Sequence, residues 1–379
     1  MRLTRLDIDG VRNLQPVRLT DLGRVNILYG ANGSGKTSAL EAIYLLGMAR
    51  SFRATRFHSV INNDQQQLTV YGEVELPGGS RHRLGVTRSR GGESEARVDG
   101  QRIANRSALA AAFPLQIIHS DSFELLRGSP GVRRQFMDWG VFHVEPVFLE
   151  AWQRFQRAIK QRNTVLRHGK ISGGELAPWE KELGEVGALV HQARERQVER
   201  LKPVFQAILQ RMAPALEPVT LRYRPGWNVE QPLGEVLEQN RSSDAQQGFT
   251  QAGPQRADIR ISCEGGAAAD VLSRGQQKLV VCALKLAQGQ TLMDARQLVS
   301  TYLVDDLSAE LDKEHYGLVA AELESMQSQV FVTCIGESEA AVAWPVRPLG
   351  VEGATAAAEA DNDRRVFHVE HGRLIATQA

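Results

Sequence analysis

Eight consecutive residues carry the plainest chemistry in the chain. Gly30, Ala31, Asn32, Gly33, Ser34, Gly35, Lys36 and Thr37 read GANGSGKT, the GxxxxGK[ST] spacing of a loop that cradles phosphates. Glycines here let backbone N–H groups converge on a phosphate chain without interference from Cβ atoms, and a helix starting at this point adds the positive end of its dipole. Lys36 is placed to reach the β- and γ-phosphates. Thr37, followed by Ser38, is placed to put its hydroxyl on Mg²⁺. Alone, the loop specifies a nucleoside triphosphate and no more, because kinases, GTPases, motors and transporters all use it.

Two later segments narrow the class. Tyr302, Leu303 and Val304 form an apolar run that ends in Asp305 and Asp306, which puts carboxylates at the C-terminal end of a strand, where open α/β sheets bind ligands. Asp305 is expected to share Mg²⁺ with Thr37, and Asp306 is the candidate general base or water-positioner, acting with Lys36 on the γ-phosphate. The other segment, Leu272 to Lys278, reads LSRGQQK and opens a predicted helix over Gln276 to Ala287. Ser273, Gly275 and Gln276 at that N-terminus make an anion site suited to a γ-phosphate; the plainer alternative is a serine capping a core helix. LSRGQQK resembles the LSGGQ signature of ABC ATPases, with Arg274 in place of the first glycine. SAELD at Ser308 to Asp312 resembles their D-loop. In that superfamily the signature faces the phosphate loop of a second subunit, so that two ATP molecules are sandwiched in a head-to-tail dimer.

These groups need elements to hold them. Leu3, Leu6 and Ile8, then Val17 and Leu19, suggest an opening β-hairpin, and Val25 to Tyr29 a short strand leading into the loop. Ala39, Leu40, Ala42, Ile43 and Leu46 recur at helical spacing after it. Residues 68 to 99 read as short strands broken at Gly78, Gly79, Gly91 and Gly92. From about Asp121 the periodicity turns helical, over Arg133 to Asp138, Val147 to Arg167 and Glu180 to Met212. Extended segments return at Val219 to Tyr223 and Ile259 to Ser262, with Ser242 to Pro254 between them as a polar loop. Leu279 to Ala287 is helical, Leu298 to Val304 a buried strand, Asp312 to Met326 a helix, and Val330 to Thr333 a strand. Gly353 to Ala360 is an Ala-rich loop ahead of a last strand around Val366 to Val369. The fold expected is α/β, an ABC-type P-loop ATPase head with an inserted, mainly helical lobe. Residues 1–120 and 290–379 would form the core, and 121–289 the second lobe ending in the signature.

Composition sets the bounds. The 379 residues are 42% hydrophobic and 23% charged with a net charge of +1, so nucleic-acid binding has to come from local patches. Cys263, Cys282 and Cys334 lack CxxC spacing, which argues against a disulfide framework or zinc. Asp7 and Asp9 precede no apolar stretch of signal-peptide type, and no run approaches a spanning helix; a cytoplasmic protein without a membrane partner is expected. Arg154, Arg157, Lys160 and Arg162, with Arg167 and Lys170, lie in a stretch without acidic residues from Ala151 to Ser172. Arg50, Arg53 and Arg56 form a second basic group, and Arg81, Arg83, Arg88 and Arg90 a third. The first four are the candidate DNA contacts, as cations for backbone phosphates, against the alternative of a solvated helix face.

Taken together, GANGSGKTSALEAIYLLGMARSFR at Gly30 to Arg53, GSPGVRRQFMDWG at Gly128 to Gly140, GPQRADI at Gly253 to Ile259, LSRGQQK, and LVDDLSAELD at Leu303 to Asp312 resemble the RecF family, in the SMC and Rad50 branch of the ABC-type ATPases. The length leaves no room for the long coiled coil of SMC or Rad50. The resemblance implies an ATP-dependent homodimer on double-stranded DNA, preference for junctions beside single-strand gaps, and cooperation with RecR and RecO in loading RecA. Asp306 stands where transporters carry glutamate and Thr333 where they carry the switch histidine, so slow hydrolysis is expected. Gln116 and His119 lie in the region of the Q-loop. A transporter nucleotide-binding subunit and a P-loop kinase are the rival readings; the RRQFMDWG segment and Thr333 speak against the first, and LSRGQQK has no role in the second.

Overall fold

In the computed structural model, residues 1–54, 56–167, 173–336, 344 and 363–377 are described. Strand β1 (Arg2–Asp9) folds back onto β2 (Val17–Leu19), with Leu6 opposite Leu19 and Ile8 opposite Val17. This is the hairpin the apolar spacing predicts. β3 (Val25–Tyr29) follows and runs into the glycine loop and helix α1 (Lys36–Met48). Beyond them β4 (Gln67–Glu75), β5 (Arg81–Ser89), β6 (Ser94–Val98) and β7 (Gln101–Arg102) complete an antiparallel sheet of order β2-β1-β4-β5-β6-β7. Helix α2 (Ser107–Ala112) and strand β8 (Leu115–Ile118) close this part of the chain.

The second unit, Phe123–Val281, is described on its own. Short α3 (Glu124–Arg127) and α4 (Pro130–Val144) precede two long helices that pack on each other, α5 (Phe148–Arg167) and α6 (Gly173–Met212). β9 (Thr220–Arg224), α7 (Leu233–Gln239) and α8 (Arg241–Gln247) come next, then β10 (Asp258–Cys263), β11 (Gly266–Ala267) and α9 (Ala268–Val271). The three strands form a small antiparallel sheet of order β11-β10-β9. The expected polar loop Ser242 to Pro254 is therefore corrected: nearly half of it, Ser242 to Gln247, is helical. Asp244 of α8 is fully buried and accepts from Arg162 at 2.6 Å, so a charge, not an apolar face, anchors that helix.

Two sequence motifs of this unit lock onto each other. Arg133 donates to both carboxylate oxygens of Asp258, at 2.7 and 3.0 Å, and to the Gly128 carbonyl at 2.8 Å. Arg134 reaches the Ala257 carbonyl at 3.0 Å, and Arg194 bridges Asp138 and the Pro254 carbonyl. Gly128 to Gly140 and Gly253 to Ile259 thus carry the charged groups that hold α4 against β10.

Helix α10 (Arg274–Arg296) takes the chain back to the first unit, which comprises Met1–Ser122 and Cys282–Ala379. The return falls inside α10 and not after residue 289. β12 (Thr301–Val304), α11 (Leu307–Glu310), α12 (Lys313–Ser325), β13 (Val330–Cys334), β14 (Arg364–Glu370) and β15 (Arg373–Thr377) follow. The second sheet of the first unit runs β15-β14-β3-β13-β12-β8, parallel except for the β14–β15 hairpin. Gly353 to Ala360 lies outside the described residues.

Eleven of the 13 residues of α1 are buried, on every side of the helix. Such a helix belongs between layers and not on a surface. It packs on β4 and β5 of the antiparallel sheet and on β8 and β13 of the parallel one. Gly72 of β4 makes the close approach possible, since a Cβ there would run into Leu46 of α1.

Candidate functional site

The loop between β3 and α1 is built by three glycines at positive φ, Gly30 (156°), Gly33 (79°) and Gly35 (120°). A Cβ on Gly30 would strike the Val369 carbonyl, whereas one on Gly33 would meet nothing. Gly33 is required by its backbone conformation alone. Asn13 pins the loop: its Nδ2 donates to the Gly33 carbonyl at 3.0 Å, and its Oδ1 accepts from Ser38 Oγ at 3.0 Å. The Lys36 ammonium, almost fully buried, donates to the carbonyls of Gly30 (2.7 Å) and Ala31 (3.1 Å). No side chain caps α1 and its first turn carries no acid, so the positive end of the helix is available to an anion.

β12, buried throughout, delivers Asp305 to the same place. Asp305 Oδ1 accepts from Thr37 Oγ1 at 3.0 Å and from Thr333 Oγ1 at 2.8 Å, while Thr333 Oγ1 accepts from the Asp306 amide at 2.9 Å. Burial raises the pKa of Asp305, and the bonds from Thr333 and Thr37 oppose that shift. Asp306 takes a left-handed conformation (φ 53°), and its Oδ1 is buried without a protein partner, as is Ser34 Oγ. Buried polar atoms without partners point to a ligand. A hydroxyl and a carboxylate within 3.0 Å are hard oxygen donors of the kind Mg²⁺ takes when phosphates fill its remaining positions; the residues fit the ion.

These groups open on a cleft of about 790 Å³ that extends from Asn32, Lys36, Thr37 and Asp306 past Arg12, Asn13 and Arg53 to Ser59 and Ile61, Asn62, Asn63 and Asp64. One buried carboxylate ties its walls together. Glu41, with no exposed surface, is held by Arg12 through both oxygens and accepts a short bond from Ser51 Oγ. Ser51 Oγ accepts from the amides of Arg53 and Ala54 in turn. Sequence reasoning did not single out Arg12, Asn13, Glu41 or Ser51. The usable signal was Glu41, an acid inside an apolar helical repeat, which demands a partner.

In the second unit Ser273 and Gln276 form a capping box: Gln276 N donates to Ser273 Oγ at 3.3 Å and Ser273 N to Gln276 Oε1 at 2.9 Å. Ser273, Arg274, Gly275 and Gln276 are all exposed. A Cβ on Gly275 would meet nothing, and its φ is not positive, so nothing in this chain's own packing requires a glycine there.

Several expectations are corrected. Arg162 is fully buried and bonded to Asp244, Glu180, Thr250 and the Leu237 carbonyl, so it is part of a core ion cluster and out of reach of DNA. Arg154 is engaged by both oxygens of Glu182; Arg157 and Lys160 are exposed, and Lys170 lies outside the described residues. Arg88 and Arg90 turn inward onto backbone carbonyls, and Arg81 pairs with glutamates. Gln116 is a buried strand residue whose amide meets Gln288 at 2.9 Å. His119 packs against Phe52, and burial lowers its pKa to about 4. Among the described residues no helix is long and apolar enough to cross a membrane.

A parallel sheet that presents a phosphate loop after β3 and paired carboxylates after β12, with a signature-like turn ahead of α10, defines an ABC-type ATPase head. Its backbone superposes on a structure described as the recombination mediator protein RecF-ATP in the RecFOR pathway, with a TM-score of 0.84 at 23% identity over 99% of this chain and 97% of that one. An Smc head bound to the C-winged helix domain of ScpA follows at 0.56 and 15% identity, over 100% of this chain and 97% of that one. The sequence goes further than the fold. The RecF/RecN/SMC N terminal domain profile matches residues 2–355. Proteins named DNA replication and repair protein RecF from Pseudomonas putida, Pseudomonas entomophila and Pseudomonas syringae pv. tomato are each 48% identical over 100% of this chain and 99% of their own. The chain belongs to the RecF family.

Proposed function

We propose that this protein is an ATP-dependent DNA-binding switch of recombinational repair, carried above all by the meeting of Thr37 and Asp305 beside Lys36. Lys36 neutralises the β- and γ-phosphates, and the amides of the loop and of the first turn of α1 hold the phosphate chain. Thr37 and Asp305 would hold Mg²⁺, which would supply charge neutralisation to the phosphates. Asp306, which lines the cleft, positions the water that attacks the γ-phosphate and accepts its proton, giving ADP and phosphate. The shorter aspartate side chain supports slow turnover.

Ser273, Gly275 and Gln276 complete the site of a second copy. Exposure of the signature, and a glycine there that its own chain does not need, support this reading. ATP thus closes a homodimer, and closure gathers the cationic surfaces of two copies on double-stranded DNA at or near single-strand gaps, Arg157 and Lys160 among them. The names of the relatives support a place in DNA replication and repair, and the RecFOR pathway of the structural neighbour supports RecR and RecO as partners; RecA as the protein loaded is what the family resemblance implies. The test is oligomeric state by light scattering and duplex binding by anisotropy, with and without ATP, for wild type and Lys36→Ala. Joint loss of dimer and DNA binding in the variant is expected. Tight DNA binding by a monomer without nucleotide would sink the switch.

A further inference from the structure

We infer that the outward face of the sheet β9–β10–β11, centred on Arg222 and Arg260, is a contact surface for the phosphate backbone of duplex DNA; the inference rests on the DNA-binding reading above. Along β9 and β10, Leu221, Ile259 and Ile261 are buried, so the alternate residues Thr220, Arg222, Arg224 and Arg260 face out and are exposed. The register sets Arg222 directly opposite Arg260. Like charges at directly opposed positions of an antiparallel pair repel and weaken the sheet. Among the described residues neither arginine, nor Arg224 on the same face, forms an ion pair or a side-chain hydrogen bond. The one carboxylate of these strands, Asp258, has both oxygens taken by Arg133. An arrangement that costs the fold stability and is left unneutralised indicates an anion from outside.

The next rung identifies the anion. Thr220 is opposite Ser262, their hydroxyls 3.1 Å apart, so the face offers guanidinium and hydroxyl donors and no exposed apolar or aromatic side chain. Protein interfaces are centred on buried aromatic or aliphatic anchors. Contacts with the sugar–phosphate backbone are made by arginine, serine and threonine and carry no base readout. β11 then leads through the single turn of α9 to Leu272 and the signature, so this contact sits on the segment that feeds Ser273.

The experiment uses the full-length chain with ATP and Mg²⁺, duplex DNA, and the variants Arg222→Glu and Arg222→Gln. Arg222→Glu gives Arg260 an opposite charge across the strand, so its melting temperature should stay level or rise. Its affinity for duplex should fall about tenfold, and the slope of log affinity against log salt should drop by about one, in both variants. Unchanged affinity and slope beside a wild type that binds duplex would overturn the inference. So would unaltered duplex binding coupled to lost binding of polyglutamate, which would assign the face to an acidic protein. A wild type that binds no duplex fells the DNA-binding reading itself, a distinct result.

Discussion

Arg12 holds both carboxylate oxygens of Glu41, Nε to Oε2 at 2.8 Å and Nη2 to Oε1 at 3.0 Å, inside the helix that begins at the phosphate loop. Breaking a buried ion pair by removing one partner leaves an uncompensated charge. Arg12→Ala should therefore lower unfolding free energy by about 3 kcal/mol, read from urea melts, and weaken ATP binding because Arg12 lines the cleft. A loss near zero would mean that Glu41 takes up a proton or a new partner.

Thr333 donates to Asp305 and accepts from the Asp306 amide, so from a neighbouring strand it fixes the Asp305 carboxylate and the backbone at Asp306. Thr333→Val keeps the shape and removes both bonds. Half-saturation of ATP binding should then need several times more Mg²⁺, while ATP binding measured in EDTA stays where it was. An unshifted Mg²⁺ titration would remove Thr333 from the site.

Ser273→Arg should leave ATP binding by the monomer intact and abolish ATP-induced dimers, since the side chain intrudes where a phosphate from another copy is expected. Ser273→Ala, which loses only the cap, should cost about 1 kcal/mol of stability. Dimerisation of the arginine variant with ATP, seen by sedimentation, would contradict the composite site.

His143 is packed against Trp139 and Phe142, and burial lowers its pKa to about 3. The folded imidazole is neutral while the unfolded one protonates near pH 6.5. Its share of stability is complete above about pH 6.5 and is lost progressively as pH falls toward 3. At pH 5.5 the loss is about 1 kcal/mol. In His143→Phe the urea midpoint should fall less between pH 7.5 and 5.5 than in wild type; parallel declines would exclude His143 as the cause.

Arg157→Ala with Lys160→Ala should weaken duplex binding and leave melting unchanged, whereas Arg162→Ala should destabilise by about 3–5 kcal/mol. If Arg162→Ala folds as well as wild type, its network with Glu180 and Asp244 contributes nothing.

The parts legible in the sequence were those whose chemistry is local. Gly30 to Thr37 needs its neighbours only as a strand and a helix, and Val25–Tyr29 and Lys36–Met48 are readable from apolar spacing. Asp305 and Asp306 announced themselves by ending an apolar strand. What spacing could not supply was partnership at long range. Arg162 reads as one of a row of helical cations, yet the acids that bury it are Glu180 and Asp244, 18 and 82 residues away. α8 escaped detection for the same reason, since its anchor is Asp244 and not an apolar stripe. Glu41 was passed over because the repeat around it is helical whichever residue stands there.

The burial of α1 on every side bears on how faults in this protein would present in a cell. A helix with no solvent face has no positions at which sequence can drift cheaply, and most substitutions along it should reduce how much folded protein survives proteolytic quality control. A genetic screen for lost repair would then return many α1 alleles that are scarce, not inactive. Only measurement of protein abundance beside phenotype separates those from the few, at Lys36 and Thr37, where the chain persists and the chemistry fails.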